Sequence, residues 1–427
     1  MIFALGVVPV VLLLLGFPIF IVLLSAVTTA LVFFMHVPLA ALHQNLFGAI
    51  DAYALLAIPF FIYAGELMGR GSVAERLVDF VQAGVGSVRG SLGVTTVGTS
   101  AIFGAISGAS AATVATIGKV MLPAMRRGGY PEQFTAGLIT AVGAIDIIIP
   151  PSIPMIVYGT AAEESVPRLY AAGVVPGLLI AVMLAVYVVW YARRHDIGAG
   201  EAFDLRLLLR ATARGVWALG APFIILGGIY GGIFAPTEAA AVACVYAALV
   251  TRVAFRELRW RDIVQAAAAT TLFTGQILII VACANVFAWL LTVNQLPAAM
   301  VAWLQALHVS AWMLLATINV GLLVVGCFLD PLSAILLLSP LLVPLVKAVG
   351  IDTVHFGIVV TVNLAIGLFH PPFGMNIFVA QSVLGLPLKV IYRGIIPFLV
   401  VYLIALVLIT YIPAISLIGV RLLLHTG

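Results

Sequence analysis

The chain has 427 residues, of which 64% are hydrophobic and 8% charged, with a formal net charge of +4. A soluble domain carries about 25% charged residues, and a soluble fold of this size could not hide so much apolar side chain, so most of the exterior must face lipid. The positive balance does not imply nucleic-acid binding, because the basic residues fall in short clusters between apolar runs, where they set membrane topology; a β-barrel is excluded by the lack of alternating segments of about 10 residues.

The first apolar run, Ile2–Phe34, exceeds the roughly 20 residues needed for a helical crossing. It opens without the basic segment of a signal peptide, so it is expected to be the first membrane segment, broken at Gly16–Pro18. The stretch from Gly98 to Thr113, with Gly104, Ser107, Gly108 and Ser110, is too rich in glycine and hydroxyls for a plain lipid-facing helix. It predicts a re-entrant hairpin over about residues 92–125, since irregular backbone at membrane depth survives only against protein or a water-filled cavity. Tight packing by small residues is the alternative, but packing does not call for hydroxyls beside a glycine break. A basic loop, Arg126 to Tyr130, precedes a broken helix over about 131–162 that contains Asp146 and Pro150-Pro151. Proline removes an amide donor and frees carbonyls in the preceding turn. Freed carbonyls and helix C-termini attract cations, and half-helix N-termini attract anions; a kink in a packed helix is the simpler alternative. Thr140 and Ser152 lie near this break. A membrane carboxylate such as Asp146 is functional by default, as a proton or cation site, unless it faces water.

The run Gly173–Trp190 leads into the most polar stretch, Tyr191 to Arg214, which divides the chain into halves of about 1–213 and 214–427. Two short crossings follow, broken near Gly231-Gly232 and Pro236, with Glu238 placed to compensate a helix N-terminus. After the run Ile263–Ala282 comes a second predicted hairpin, about 311–345, with Gly326, Asp330, Pro331, Ser333 and Ser339. Asp330 could cap the half-helix that starts at Pro331 or ligate an ion. A second broken helix is predicted over about 352–385, with Thr361, Asn363, His370, Pro371-Pro372, Gly374 and Asn376. Sodium favours several oxygens of modest charge, which carbonyls and Ser, Thr and Asn side chains supply. His370 is either a structural group or a proton carrier. The last run is Ile395–Ile418, and the three cysteines, all in apolar stretches without metal-binding spacing, are expected to pack as small hydrophobes.

The halves share a register. Pro150 and Pro371 lie 221 residues apart, and the same offset relates Pro123 to Pro344, Gly129 to Gly350, Thr140 to Thr361, Gly173 to Gly394 and Pro176 to Pro397. Loop charge inverts between them: Arg126 precedes the first break and Glu163 follows it, whereas Lys347 precedes the second and Lys389 and Arg393 follow it. Under the positive-inside rule Arg126 and Lys389 are cytoplasmic, Glu163 and Lys347 face outward, and both termini lie outside. Inverted repeats with interrupted helices are the mark of secondary transporters, with the binding site between the halves.

The segments Gly104–Tyr130, Ile149–Gly159, Gly326–Pro344 and His355–Phe378 resemble the large membrane subunit of tripartite ATP-independent periplasmic (TRAP) transporters, and the resemblance covers nearly the whole chain. It implies an all-α polytopic protein of the bacterial inner membrane, with an elevator mechanism in which two hairpins and two broken helices move together. It also implies sodium as coupling ion with no further cofactor, a small four-helix membrane partner, a periplasmic substrate-binding protein, and an organic anion such as a C4-dicarboxylate or sugar acid as cargo. Carried over by position, it places Ser107, Gly108, Ser110, Ser152, Gly326, Asp330, Ser333, Asn363, Gly374 and Asn376 in ion and substrate sites. This chain departs from the family pattern at Ala109, often serine, at Asp146, usually glycine, and at His370, commonly threonine. A stand-alone sodium/dicarboxylate-type carrier is the alternative within transport. An intramembrane aspartyl protease using Asp146 and Asp330 is the alternative outside it, and the chain lacks that class's Tyr-Asp and Gly-x-Gly-Asp motifs.

Overall fold

The structure, a computed structural model, describes residues 3–35, 39–198, 200 and 202–424. Among the described residues every regular element is helical, and several helix ends fall where the chain loses an amide donor or a Cβ. The first apolar run is two helices, Val8–Leu14 and Ile19–Phe34, parted where Gly16 takes φ +80° and Pro18 precedes the second helix. Leu205–Tyr230 and Pro236–Leu249 are parted at Gly231-Gly232, and the second is capped by the Glu238 carboxylate, which accepts from the Ala235 amide at 2.8 Å.

Among the described residues six helices are long and apolar enough to cross a membrane, or seven if the pair Ala40–Ile50 and Tyr53–Gly69, bent by 55°, is one span. Helix Val166–Arg194 shows why the outer solvent is lipid. Leu178, Val182, Val186 and Trp190 share an exposed face at helical spacing, while Ile180, Leu184, Val188 and Ala192 opposite them are buried. Both faces are apolar, which only a lipid-facing helix tolerates. The longest helix, Trp260–Val293, has 34 residues and so measures about 51 Å, more than the hydrocarbon core requires.

Eight shorter helices are labelled here because they build the site. Helices α1 (Ser91–Ser107) and α2 (Ser110–Arg127) join at Gly108-Ala109. Helices α3 (Glu132–Asp146) and α4 (Ile153–Ala162) flank the first Pro-Pro pair. In the second half, α5 (Ala311–Gly326) and α6 (Pro331–Ala348) join at Cys327–Asp330, and α7 (Thr353–Gly367) and α8 (Met375–Leu384) flank the second Pro-Pro pair. Both Pro-Pro bonds are cis. The packing is reciprocal: α2 lies on α8 while α6 lies on α4, and α1 and α2 cover α3 while α5 and α6 cover α7. Helix Leu388–Tyr411 packs on α3 so closely that a Cβ on Gly137 would stand 2.1 Å from the Gly394 carbonyl oxygen. Phe134, Tyr187, Tyr191 and Phe398 stack beside that crossing.

Candidate functional site

Four chain breaks meet at one place. A cavity of about 280 Å³ is lined by Gly108 to Ala111 at the α1–α2 junction, by Ile147, Ile153 and Pro154 at the first Pro-Pro break, by Asp330 to Leu332, and by Leu368 and Met375 at the second break. Its remaining wall is the face of Trp260–Val293 carrying Phe273, Gln276, Ile277 and Ile280. Four helices therefore begin at this cavity, α2, α4, α6 and α8, and four end beside it, α1, α3, α5 and α7. Each N-terminus presents unpaired amides and about half a positive charge, and each C-terminus the reverse.

Two of the four N-termini are already satisfied by side chains. The Ser152 hydroxyl caps α4 by accepting from the Met155 amide at 3.4 Å, and donates to the Ile147 carbonyl at 2.5 Å. The exposed Asp330 carboxylate caps α6, accepting from the Leu332 and Ser333 amides at 3.1 Å each and from the Ser333 hydroxyl at 2.5 Å. Of the two roles open to Asp330, capping is what the geometry displays. Helices α2 and α8 have no side-chain cap, but the Leu368 carbonyl accepts from the Asn376 amide at 2.8 Å in the first turn of α8, so α2 offers the more open N-terminus to an anion in the cavity.

Below the α1–α2 junction lies a buried polar cluster. Asp146, the last residue of α3, is 0% exposed. Its Oδ2 accepts from the Ser107 hydroxyl at 2.8 Å and the Thr113 hydroxyl at 2.6 Å, while its Oδ1 has no hydrogen-bond partner among the described residues. Gly104 makes room for it: a Cβ there would come within 2.8 Å of Oδ1. Gly108 is needed twice, for its φ of +59° and because a Cβ would stand 2.8 Å from the Pro151 carbonyl oxygen. Ser110 ties the halves together, donating to the Gly143 carbonyl at 2.7 Å and accepting from Asn376 Nδ2 at 2.8 Å. Buried hydroxyls, an amide and carbonyls at helix C-termini form the kind of oxygen-rich, low-charge set that can replace part of a small cation's water shell.

Other candidates do not themselves line the cavity. Gly326 packs on Gly367, where a Cβ on Gly367 would meet the Gly326 carbonyl oxygen at 2.6 Å. Asn363 donates to the Asn319 carbonyl at 3.0 Å and to its side-chain oxygen at 2.9 Å, leaving its own Oδ1 buried without a partner. The hydroxyls of Thr140 and Thr361 each donate to the carbonyl four residues back, Ala136 and Gly357. Gly374 abuts the Leu368 carbonyl oxygen. His370 Nδ1 lies 3.0 Å from Cys327 Sγ, linking the α5–α6 junction to the second break. Three further residues belong with this site: Thr113, which reaches Asp146 only because the chain reverses at Gly108; Asn319, the partner of Asn363; and Gln276. The last was detectable as an amide inside the apolar run Ile263–Ala282.

The comparisons with known proteins point the same way. The family model described as tripartite ATP-independent periplasmic transporter, DctM component, matches residues 7–415. The chain belongs to this family and is the large permease subunit of a TRAP transporter. It is 43% identical over 373 residues to the C4-dicarboxylate TRAP transporter large permease DctM of Pseudomonas aeruginosa, covering 87% of each chain. It is 39% identical over 421 residues to the same-named protein of Rhodobacter capsulatus, covering 95% of this chain and 96% of that one. The 2,3-diketo-L-gulonate TRAP transporter large permease YiaN of Escherichia coli is 37% identical over 87% of both chains. A solved structure, the YdaH transporter of Alcanivorax borkumensis, matches with a TM-score of 0.65 over 97% of this chain and 98% of that one, at 15% identity, which shows a shared fold. The permease is thus a multi-pass membrane protein and not an enzyme.

Proposed function

We propose that this permease drives sodium-coupled uptake of an organic anion, a C4-dicarboxylate, sugar acid or similar carboxylate, across the bacterial inner membrane. The observation that carries this reading is the cavity on which four helix N-termini converge, two of them without a side-chain cap. An anion docks at the uncapped N-termini of α2 and α8, chiefly at α2, and cations sit where α1, α3, α5 and α7 end, so that each charge offsets the other's burial. Ser107, Ser110, Asn376 and the carbonyls at the breaks supply sodium oxygens. Relatives named for C4-dicarboxylate and diketogulonate transport favour a carboxylate cargo.

The reciprocal packing of α2 on α8 and α6 on α4, with the matched hydroxyl bonds of Thr140 and Thr361 one register apart, supports two inverted repeats, 1–213 and 214–427. In this reading α1–α8 move as one body against Trp260–Val293 and the other long helices, an elevator in which Phe273 and Gln276 line the track. A periplasmic binding protein delivers the anion and a small four-helix subunit braces the fixed helices. Uptake into proteoliposomes holding the permease, the small subunit and the binding protein tests this: sodium on the outside should drive uptake, and potassium in its place should abolish it. Undiminished uptake in potassium refutes the coupling. Uptake that persists without the binding protein favours the stand-alone carrier instead.

A further inference from the structure

A second cavity, about 500 Å³, lies beyond the first between the same helices. Helix α4 lines the first cavity at Ile153 and Pro154 and the second from Thr160 to Glu163. Helix α6 lines the first at Pro331 and Leu332 and the second from Leu336 to Lys347. Trp260–Val293 lines the first from Phe273 to Ile280 and the second from Val281 to Thr292. Three helices that each wall both spaces place them end to end, about eight residues or 12 Å apart along α4.

The second cavity differs from its neighbour in its more polar lining. Asn45, Asn285, Thr292, Ser339, Glu163 and Lys347 line it. Asn285 is exposed although Val281, Ala284 and Leu290 beside it on the same helix are buried, and its side chain makes no hydrogen bond among the described residues. An unpaired amide facing lipid would carry a desolvation cost of about 1–3 kcal/mol, so this face calls for water or a polar partner. Lys347 makes no ion pair among the described residues, although Glu163 shares the cavity. Its position in the last turn of α6 accounts for a cation there, but not for an open space in front of it.

We infer that this cavity is the outer vestibule through which the carboxylate cargo reaches the substrate cavity, and that Lys347 is the cation that draws and holds the carboxylate in transit. The inference rests on the functional reading above and on the outward placement of Glu163 and Lys347. Asn285 and Ser339 offer hydrogen-bond donors to the passing carboxylate, and Glu163 on the facing helix repels it, so that occupancy stays transient. Binding weak enough to leave is what a transit site requires.

The test uses Asn285→Cys in the assembled transporter, with the parent protein, whose three cysteines are buried, as the blank. Membrane-impermeant thiosulfonates are added from outside, one reagent anionic and one cationic. The expected result is labelling of position 285 from outside. Lys347→Gln should lower the ratio of anionic to cationic labelling rates by about three- to tenfold, and Lys347→Arg should restore it. In uptake assays Lys347→Gln should raise KM for the delivered anion by a similar factor and leave the maximal rate within about twofold. Labelling only from inside, no labelling, or a rate ratio indifferent to Lys347 overturns the vestibule. A KM effect that appears only when the binding protein's concentration is varied, with an unchanged labelling ratio, also overturns it and assigns Lys347 to docking that protein. Because the labelling needs no transport, it remains readable even if sodium-driven uptake fails in the parent, an outcome that would count against the functional reading alone.

Discussion

Ser107→Ala probes the buried cluster directly. The Ser107 hydroxyl donates to Asp146 Oδ2 at 2.8 Å and lies 3.3 Å from the Thr113 hydroxyl, with all three side chains buried. Helix Ala57–Gly69 closes the site from behind, since a Cβ on Gly65 would stand 2.8 Å from Ser107 Cα, and no neighbouring side chain is placed to replace the lost donor. Alanine therefore leaves Oδ2 with Thr113 alone, while Oδ1 already has no hydrogen-bond partner among the described residues. A hydrogen bond to a carboxyl group of this kind is worth about 1.5–3 kcal/mol, against about 1 for an ordinary one. The expected loss of stability is therefore about 2 kcal/mol, twice that of a serine engaged only in packing. In an Asp146→Ala background the same substitution should cost about 0.5 kcal/mol, giving a coupling of about 1.5 kcal/mol in the double-mutant cycle. Equilibrium unfolding of the four proteins in mixed detergent micelles measures it, and half-maximal sodium for uptake should rise in Ser107→Ala. A coupling indistinguishable from zero would show that Ser107 does not serve Asp146, and an unchanged sodium curve would return the α1–α2 serines to helix packing.

Asn376→Ala should lower uptake and destabilise by about 1–2 kcal/mol, because it removes the 2.8 Å bond by which the second break holds Ser110; wild-type melting in detergent would contradict it. Gly367→Val should abolish stable expression, since even a Cβ would lie 2.6 Å from the Gly326 carbonyl oxygen and α5 and α7 would have to part; a monodisperse variant at normal yield would sink that view of the contact. Burial alone would raise the Glu257 carboxyl, but the Ser72 hydroxyl and amide and the Arg76 guanidinium outweigh it and hold it below its ordinary 4.5. The advantage of the parent over Glu257→Gln should thus be complete above about pH 4.5 and vanish as pH falls through the lower folded value, and a difference that stays constant throughout an acid titration from neutral pH would refute it. Cysteines placed at Arg126 and Lys389 should resist an impermeant reagent added outside, whereas one at Glu163 should react; labelling of both 126 and 389 from outside would remove the inverted arrangement.

Membrane residence and the places where helices stop were legible in the sequence, because both follow from local chemistry. A composition of 64% hydrophobic and 8% charged residues leaves lipid as the only adequate solvent, and a proline pair, or a glycine close before a proline, disfavours a continuous helix, whereas single prolines such as Pro123, Pro176 and Pro397 stay inside helices. That is why Gly16–Pro18, Gly231-Gly232 and the two Pro-Pro pairs could be read as breaks before any contact was known. What those breaks face was decided by tertiary packing. Ser110 and Asn376 are 266 positions apart and meet because α2 lies on α8; Thr113 joins Ser107 on Asp146 because the chain reverses at Gly108. No local propensity encodes either contact. The same holds for Asp330, whose two possible roles the sequence left level. Only the backbone of α6, turning its Leu332 and Ser333 amides onto the carboxylate, made it a cap and left the uncapped N-termini of α2 and α8 to face the cavity.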